Sequence, residues 1–301
     1  MTGEQTAEPP SSVLRPPSSG IWLCADDYGI APGVNVAIRD LIMHGRLNAT
    51  SAMAVAPSFT RAEVRSLAIL NSGAPRAAIG LHLTFTAPFR PLTRGFRPLR
   101  DGAFPSLRDL FRDGLLRRLK PEALAAEIDA QFAAFAAAFG RPPDFIDGHQ
   151  HAHLAPQVRE QVLAGAKRHA PAAWVRQCAS VQPARKRLGD PKGLLLDAFS
   201  RAFRTRAQAA GVPTNPGFAG TYSFRPTADF SKKFPLFLEG LPDDGVIMCH
   251  PGHVDEELIR LDPLTELRER EYAYLAGDAF PAVLAARGVV LARPAVAAAA
   301  D

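Results

Sequence analysis

Gly20-Ile21-Trp22-Leu23-Cys24-Ala25-Asp26-Asp27 is the stretch on which the fold turns. A nearly unbroken apolar run ends abruptly in two carboxylates. A strand with one wet face alternates apolar and polar residues, whereas a strand covered on both faces reads as a continuous run. Cover on both faces means helices above and below, and therefore a parallel sheet in an α/β chain. The carboxylates then stand at the carboxyl end of a buried strand.

Working outward, the chain alternates between the two periods. Val34 to His44 has helical spacing through Val34, Ala37, Ile38, Leu41 and Ile42; Ala49 to Val55 is strand-like. Arg61 to Leu70 reads as helix and Ala78 to Thr84 as a strand carrying His82. Pro121 sits where a helix starts and Gly140 where it stops, with Leu124, Ile128, Phe132, Phe135 and Phe139 between them. Asp144 to Gly148 is a strand, Pro156 to His169 a helix, Trp174-Val175 a short strand. Leu194 to Ala210 and Phe234 to Leu241 are helical, and Gly245 to Cys249 is a strand ending at His250-Pro251. Thr265 to Leu275 and Asp278 to Arg287 are helices before a last strand, Val289 to Ala292. Residues 86 to 105 and 211 to 225, rich in Pro and Gly, read as loops.

Asp26-Asp27, His82, His149, Arg176 and His250 all fall at or just after the carboxyl end of an expected strand. In barrel folds that rim is where active sites are assembled. The run Asp147-Gly148-His149-Gln150-His151-Ala152-His153 carries three histidines at every second position. If it is extended, the three imidazoles and Asp147 line one face. Imidazole is the commonest side-chain metal ligand near neutral pH, and such ligands lean on a carboxylate behind them. The bland alternative is a surface loop that happens to be rich in histidine. Carboxylates and histidines on one rim call for metal-assisted hydrolysis, in which a metal held by three protein ligands keeps positions open for water and substrate.

The 301 residues are 47% hydrophobic and 22% charged, an ordinary globular balance that fits one large α/β domain. The expected organisation is a disordered tail over residues 1–19, one domain over 20–293, and a frayed end over 294–301. Cys24, Cys178 and Cys249 stand apart in apolar contexts and read as buried thiols in a reducing compartment. With no secretory signal and no apolar run approaching the ~20 residues of a membrane span, a cytoplasmic location is expected. The net charge is +5. Its basic clusters, Arg112 to Lys120, Arg185 to Arg187 and Arg201 to Arg206, lack interleaved aromatics and read as solvated faces rather than a nucleic-acid site. A homodimer is the base-rate expectation for assembly.

Ala25-Asp26-Asp27-Tyr28-Gly29, Ile79-Gly80-Leu81-His82-Leu83-Thr84, the histidine run and Met248-Cys249-His250-Pro251 together resemble the YdjC/ChbG-like carbohydrate deacetylases, whose hopanoid-biosynthesis branch shares most of the pattern. The resemblance covers about residues 20 to 292, and it is the order of four motifs that makes it specific. It implies a distorted (β/α) barrel, TIM-barrel-like and related to polysaccharide deacetylases. It also implies removal of an acetyl group from an N-acetylated sugar or glycolipid head group by a water held at one divalent metal. Asp27, His82 and His149 would be the metal ligands. Asp26 would be the general base, and His250 the general acid toward the departing amine or a stabiliser of the oxyanion.

Each residue has a plainer reading. Asp26 caps the following helix or merely orients Asp27; His82 is a core histidine with a backbone partner; Arg176 orients Asp26 through an ion pair or is an ordinary rim charge. His151 and His153 are candidate ligands by position, yet the resemblance points to His149 alone, which leaves them to support the ligands or to bind sugar hydroxyls. Phe218, Tyr222 and Phe224 form a platform for a sugar ring or are packing plugs. His253 and Glu271 are weaker candidates. One carboxylate and two imidazoles suit zinc, cobalt or iron, while the resemblance implies magnesium. Two other functions remain: phosphoester hydrolysis, which usually needs two metals and more carboxylates, and binding of metal and carbohydrate without turnover. Substrate choice falls to loops 86 to 105 and 179 to 225.

Overall fold

The computed structural model describes residues 19–183 and 190–294. Apart from Ser19, the expected N-terminal tail lies outside the described residues, as do residues 295–301 and the Arg185 to Arg187 cluster. The strands are β1 (Ser19–Tyr28), β2 (Ala49–Ala52), β3 (Ala78–Leu83), β4 (Phe145–Gly148), β5 (Trp174–Val175), β6 (Phe218–Ala219), β7 (Val246–Cys249) and β8 (Val289–Leu291). They form one sheet in the order β5-β4-β3-β2-β1-β7-β6, with β8 paired to the start of β1. Every named pairing is parallel. Leu23, Leu81, Ile146 and Ile247 are buried in it, as a sheet covered on both faces requires.

The sheet curls until its two edges meet. β5 and the segment after it bridge to β6 and the segment entering it, through Val175 to Thr214 and Ser180 to Phe218. Backbone bonds from Val175 N to Pro213 O (2.9 Å) and from Val181 N to Phe218 O (3.1 Å) accompany the bridges. The result is a distorted barrel whose closure is irregular. At its bottom the buried Asn48 stitches three elements. It accepts from Leu23 N at 2.7 Å and donates to Ile21 O at 2.9 Å and Ala292 O at 2.8 Å, so these three backbone groups are paired.

The helices are α1 (Pro32–Met43), α2 (Arg61–Ile69), α3 (Leu107–Leu115), α4 (Pro121–Phe139), α5 (Val158–His169), α6 (Pro191–Ala210), α7 (Phe230–Phe237), α8 (Glu256–Leu261), α9 (Glu266–Ala276) and α10 (Ala279–Ala286). α4 begins on Pro121 and ends on Gly140 in the left-handed region, as its sequence dictates. Its buried Glu127 and Gln131 face the long loop after β3. Glu127 accepts from Leu92 N (3.0 Å) and Thr93 N (2.9 Å), and Gln131 exchanges two bonds with the Thr84 backbone. The loop is therefore latched to a helix rather than free. Among the described residues, no helix is long and apolar enough to cross a membrane.

Three expectations are corrected. The 211–225 segment contains the strand β6, too short at two residues for a periodic signal. The helix expected over 234 to 241 runs from Phe230 to Phe237 because Asp229 caps it, accepting from Ser231 N. The histidine run is not extended: it is a 3-10 turn, His149–Leu154, in which Gln150 and His151 have φ of 53° and 58°.

Candidate active site

β1 presents two consecutive carboxylates that a regular strand would send to opposite faces. Here the register slips between Ala25 and Tyr28, and Asp27 has φ 71°. This break in the alternation lets both side chains enter one cluster, a use of irregular strand ends common beside active sites. Both aspartates are buried.

Asp27 Oδ1 faces two imidazoles. His149 Nδ1 lies 2.9 Å from it and His82 Nε2 3.2 Å. The three ligand atoms lie within 4.8 Å of one another. His82 is aimed from behind: its Nδ1 lies 2.7 Å from Asp147 Oδ1 and 3.0 Å from Ser51 Oγ. Burial opposes charge on His82, but Asp147, Asp27 and Asp26 outweigh it and push its pKa up to about 10. A cation taking Nε2 must displace that proton.

Asp26 is gripped at both oxygens by Arg176, each bond 2.7 Å, with Cys24 Sγ donating to Oδ1 at 3.6 Å. Burial would raise its pKa; Arg176, with His82 and His250, holds it well below the usual carboxylate range. Arg176 Nη2 also comes within 2.6 Å of Asp147 Oδ2, a close ion pair not aligned as a hydrogen bond. Arg268, from α9, donates from Nη2 to Asp27 Oδ2 at 2.6 Å. With both imidazoles neutral, three buried carboxylates face two buried guanidiniums, leaving one excess negative charge. One oxygen, two ring nitrogens, a carboxylate behind one ring and a negative balance fit a divalent cation.

A family model described as "YdjC-like protein" matches residues 20–286. The chain belongs to the YdjC-like family. Chitooligosaccharide deacetylases of Yersinia pestis (strain Pestoides F) and Yersinia pseudotuberculosis (serotype O:3, strain YPIII) are each 30% identical to it over 249 residues, covering 78% of this chain and 82% of their own. An Enterococcus faecalis V583 protein named for cellobiose-phosphate cleavage shares its fold at a TM-score of 0.72. That superposition has 23% identity and covers 92% of this chain and 97% of the other.

In this YdjC-like chain the remaining candidates separate by partner. His153 is fully buried, its Nε2 2.8 Å from Arg176 O and its ring edge-on to Phe203, so it supports the backbone that carries Arg176. His151 Nδ1 lies 3.4 Å from Cys178 Sγ, and burial pulls its pKa down to about 3. The 3-10 turn sends the three rings to three different places; neither His151 nor His153 joins Asp27. Phe218 is buried in β6 and offers a ligand no surface. Tyr222 turns its hydroxyl inward, donating to Glu271 Oε1 at 2.6 Å, while Phe224 is 39% exposed with its ring edge-on to His250.

Glu271, a weaker candidate from sequence, bonds to two other candidates. Its other oxygen accepts from His250 N at 2.5 Å, so one buried carboxylate ties the aromatic loop to the histidine. His253 instead packs on Tyr272. Arg268 was not legible as a site residue: it lies in a helix full of charges, and nothing local marks one arginine among several as buried.

Proposed function

We propose that this YdjC-like protein is a metal-dependent carbohydrate deacetylase that hydrolyses the amide of an N-acetylated sugar or glycolipid head group. The observation that carries the reading is the convergence of Asp27, His82 and His149 beside an Arg176-held Asp26. A divalent cation bound by those three residues supplies the Lewis acidity that polarises the carbonyl and acidifies a water, which matters because Asp26 is a weak proton acceptor.

Asp26 stays ionised, aimed by Arg176, and takes a proton from the attacking water as its oxygen joins the carbonyl carbon. His250 follows Cys249, the register partner of Ala25, and so stands beside Asp26 across β1 and β7. It gives a proton to the nitrogen as the C–N bond breaks, releasing acetate and a free amine. Glu271 fixes the backbone from which His250 projects. Phe224 offers the sugar ring an exposed aromatic face beside His250, and Phe89 packs edge-on to His149 from the latched loop.

Phosphoester hydrolysis on two cations is disfavoured by charge: the other carboxylate cluster, Cys24, Asp26 and Asp147, is already occupied by the Arg176 guanidinium. The test is acetate release from N-acetylated sugars, chitobiose-type oligosaccharides first, by metal-stripped protein with Mg, Zn or Co restored. Release that follows the added metal supports the reading. Protein that binds one metal yet releases no acetate from any sugar or glycolipid tried overturns it in favour of binding without turnover.

A further inference from the structure

Arg268 has an unusual position for a helix-borne arginine. It is fully buried, 241 residues from the carboxylate it touches. Its Nη2 is shared between Asp27 Oδ2 and Asp262 Oδ2, each 2.6 Å away, and its Nε donates to Leu264 O at 3.0 Å. Its backbone oxygen accepts from Gly252 N at 3.1 Å, which docks α9 onto the segment after His250. Nη1 finds no partner among the described residues.

The consequence falls on Asp27. One of its oxygens is taken by Arg268, and only Oδ1 faces His82 and His149. A carboxylate with both oxygens free can hold a divalent ion through one oxygen or through two; one held by a guanidinium offers a single oxygen and a weaker charge. Resting on the metal-dependent reading above, we propose that Arg268 is a positioning residue that keeps Asp27 to one oxygen toward a divalent cation, preserving open positions for water and substrate while weakening the hold on the cation.

The test is cobalt(II) binding by stripped protein, followed by calorimetry and by the visible absorption spectrum, which reports coordination number. Arg268→Gln is expected to bind cobalt about tenfold more tightly than the wild type, since a positive charge beside the ligand is gone. Its spectrum should move toward the weaker bands of higher coordination. Asp262→Asn acts in the opposite direction: Arg268 then spends its whole charge on Asp27, and cobalt binding weakens about threefold or more. A merely structural arginine would weaken binding, or leave it alone, in Arg268→Gln. Arg268→Gln binding no more tightly, with an unaltered spectrum, overturns the inference. If that variant does not fold, Asp262→Asn decides, and unchanged or tighter binding there overturns it. Wild-type protein that binds no cobalt overturns the metal-dependent reading as well, whereas cobalt-binding wild type with an indifferent Arg268→Gln overturns only the role of Arg268.

Discussion

His82 and Asp147 are register partners in the neighbouring parallel strands β3 and β4, and their side chains meet with Nδ1 2.7 Å from Oδ1. The pleat itself therefore points the opposite ring nitrogen at Asp27. A carboxylate behind a ligand imidazole sets its tautomer and orientation, and losing it typically costs 10–100-fold in metal affinity or activity. Asp147→Asn is expected to weaken divalent-metal binding by about that factor, read by calorimetry on stripped protein. Wild-type affinity in the variant would show that the strand alone aims His82.

Asp26→Asn removes the proton acceptor and leaves Asp27, His82 and His149 untouched. Turnover is expected to fall by about 10²–10⁴-fold while metal binding survives. Retained activity would remove Asp26 from the role of base and leave it as the anchor of Arg176.

Phe224→Ala tests the aromatic face beside His250. An aromatic contact of about 0.5–1.5 kcal/mol corresponds to roughly a 2- to 12-fold rise in KM for an oligosaccharide, with kcat little changed. An equal effect on kcat alone would mean that the ring positions His250 rather than the sugar.

His153 bears on acid stability. Burial pulls its pKa from 6.5 down to about 4, so the folded protein holds it neutral while the unfolded chain protonates it. The unfolded state binds more protons between those values, and stability falls as pH drops from 6.5 toward 4. The difference amounts to about 3 kcal/mol. His153→Gln should flatten that part of the stability–pH curve in denaturant titrations at pH 7 and pH 4.5. A curve parallel to that of the wild type would assign the acid sensitivity to other groups.

Gly220 has φ 106°, and a Cβ there would lie 2.2 Å from Met248 O. Gly220→Ala must either distort β7 or move the aromatic loop that follows. A loss of about 3 kcal/mol is expected in chemical denaturation. A loss under about 0.5 kcal/mol would mean that the loop shifts freely.

The sequence by itself determined the layered α/β plan, because a doubly covered strand and an amphipathic helix leave different periods in the chain. It also placed Asp26, Asp27, His82, His149, Arg176 and His250 at strand ends, since each stands at the end of an apolar run or within three residues of it. Other features depended on groups far apart in the chain. The histidine run reads as a strand face, but β4 ends at Gly148 and a left-handed step at Gln150 and His151 scatters its rings. Glu271 and Arg268 sit in a helix whose composition resembles any solvated helix. Only the packing of α9 against the rim decides that these two of its charges are buried. The pairing of Arg176 with Asp26 and of Arg268 with Asp27 spans 150 and 241 residues, and no local pattern encodes such a contact. Periodicity is a property of neighbours in the chain, whereas the charge balance of a buried site is a property of neighbours in space.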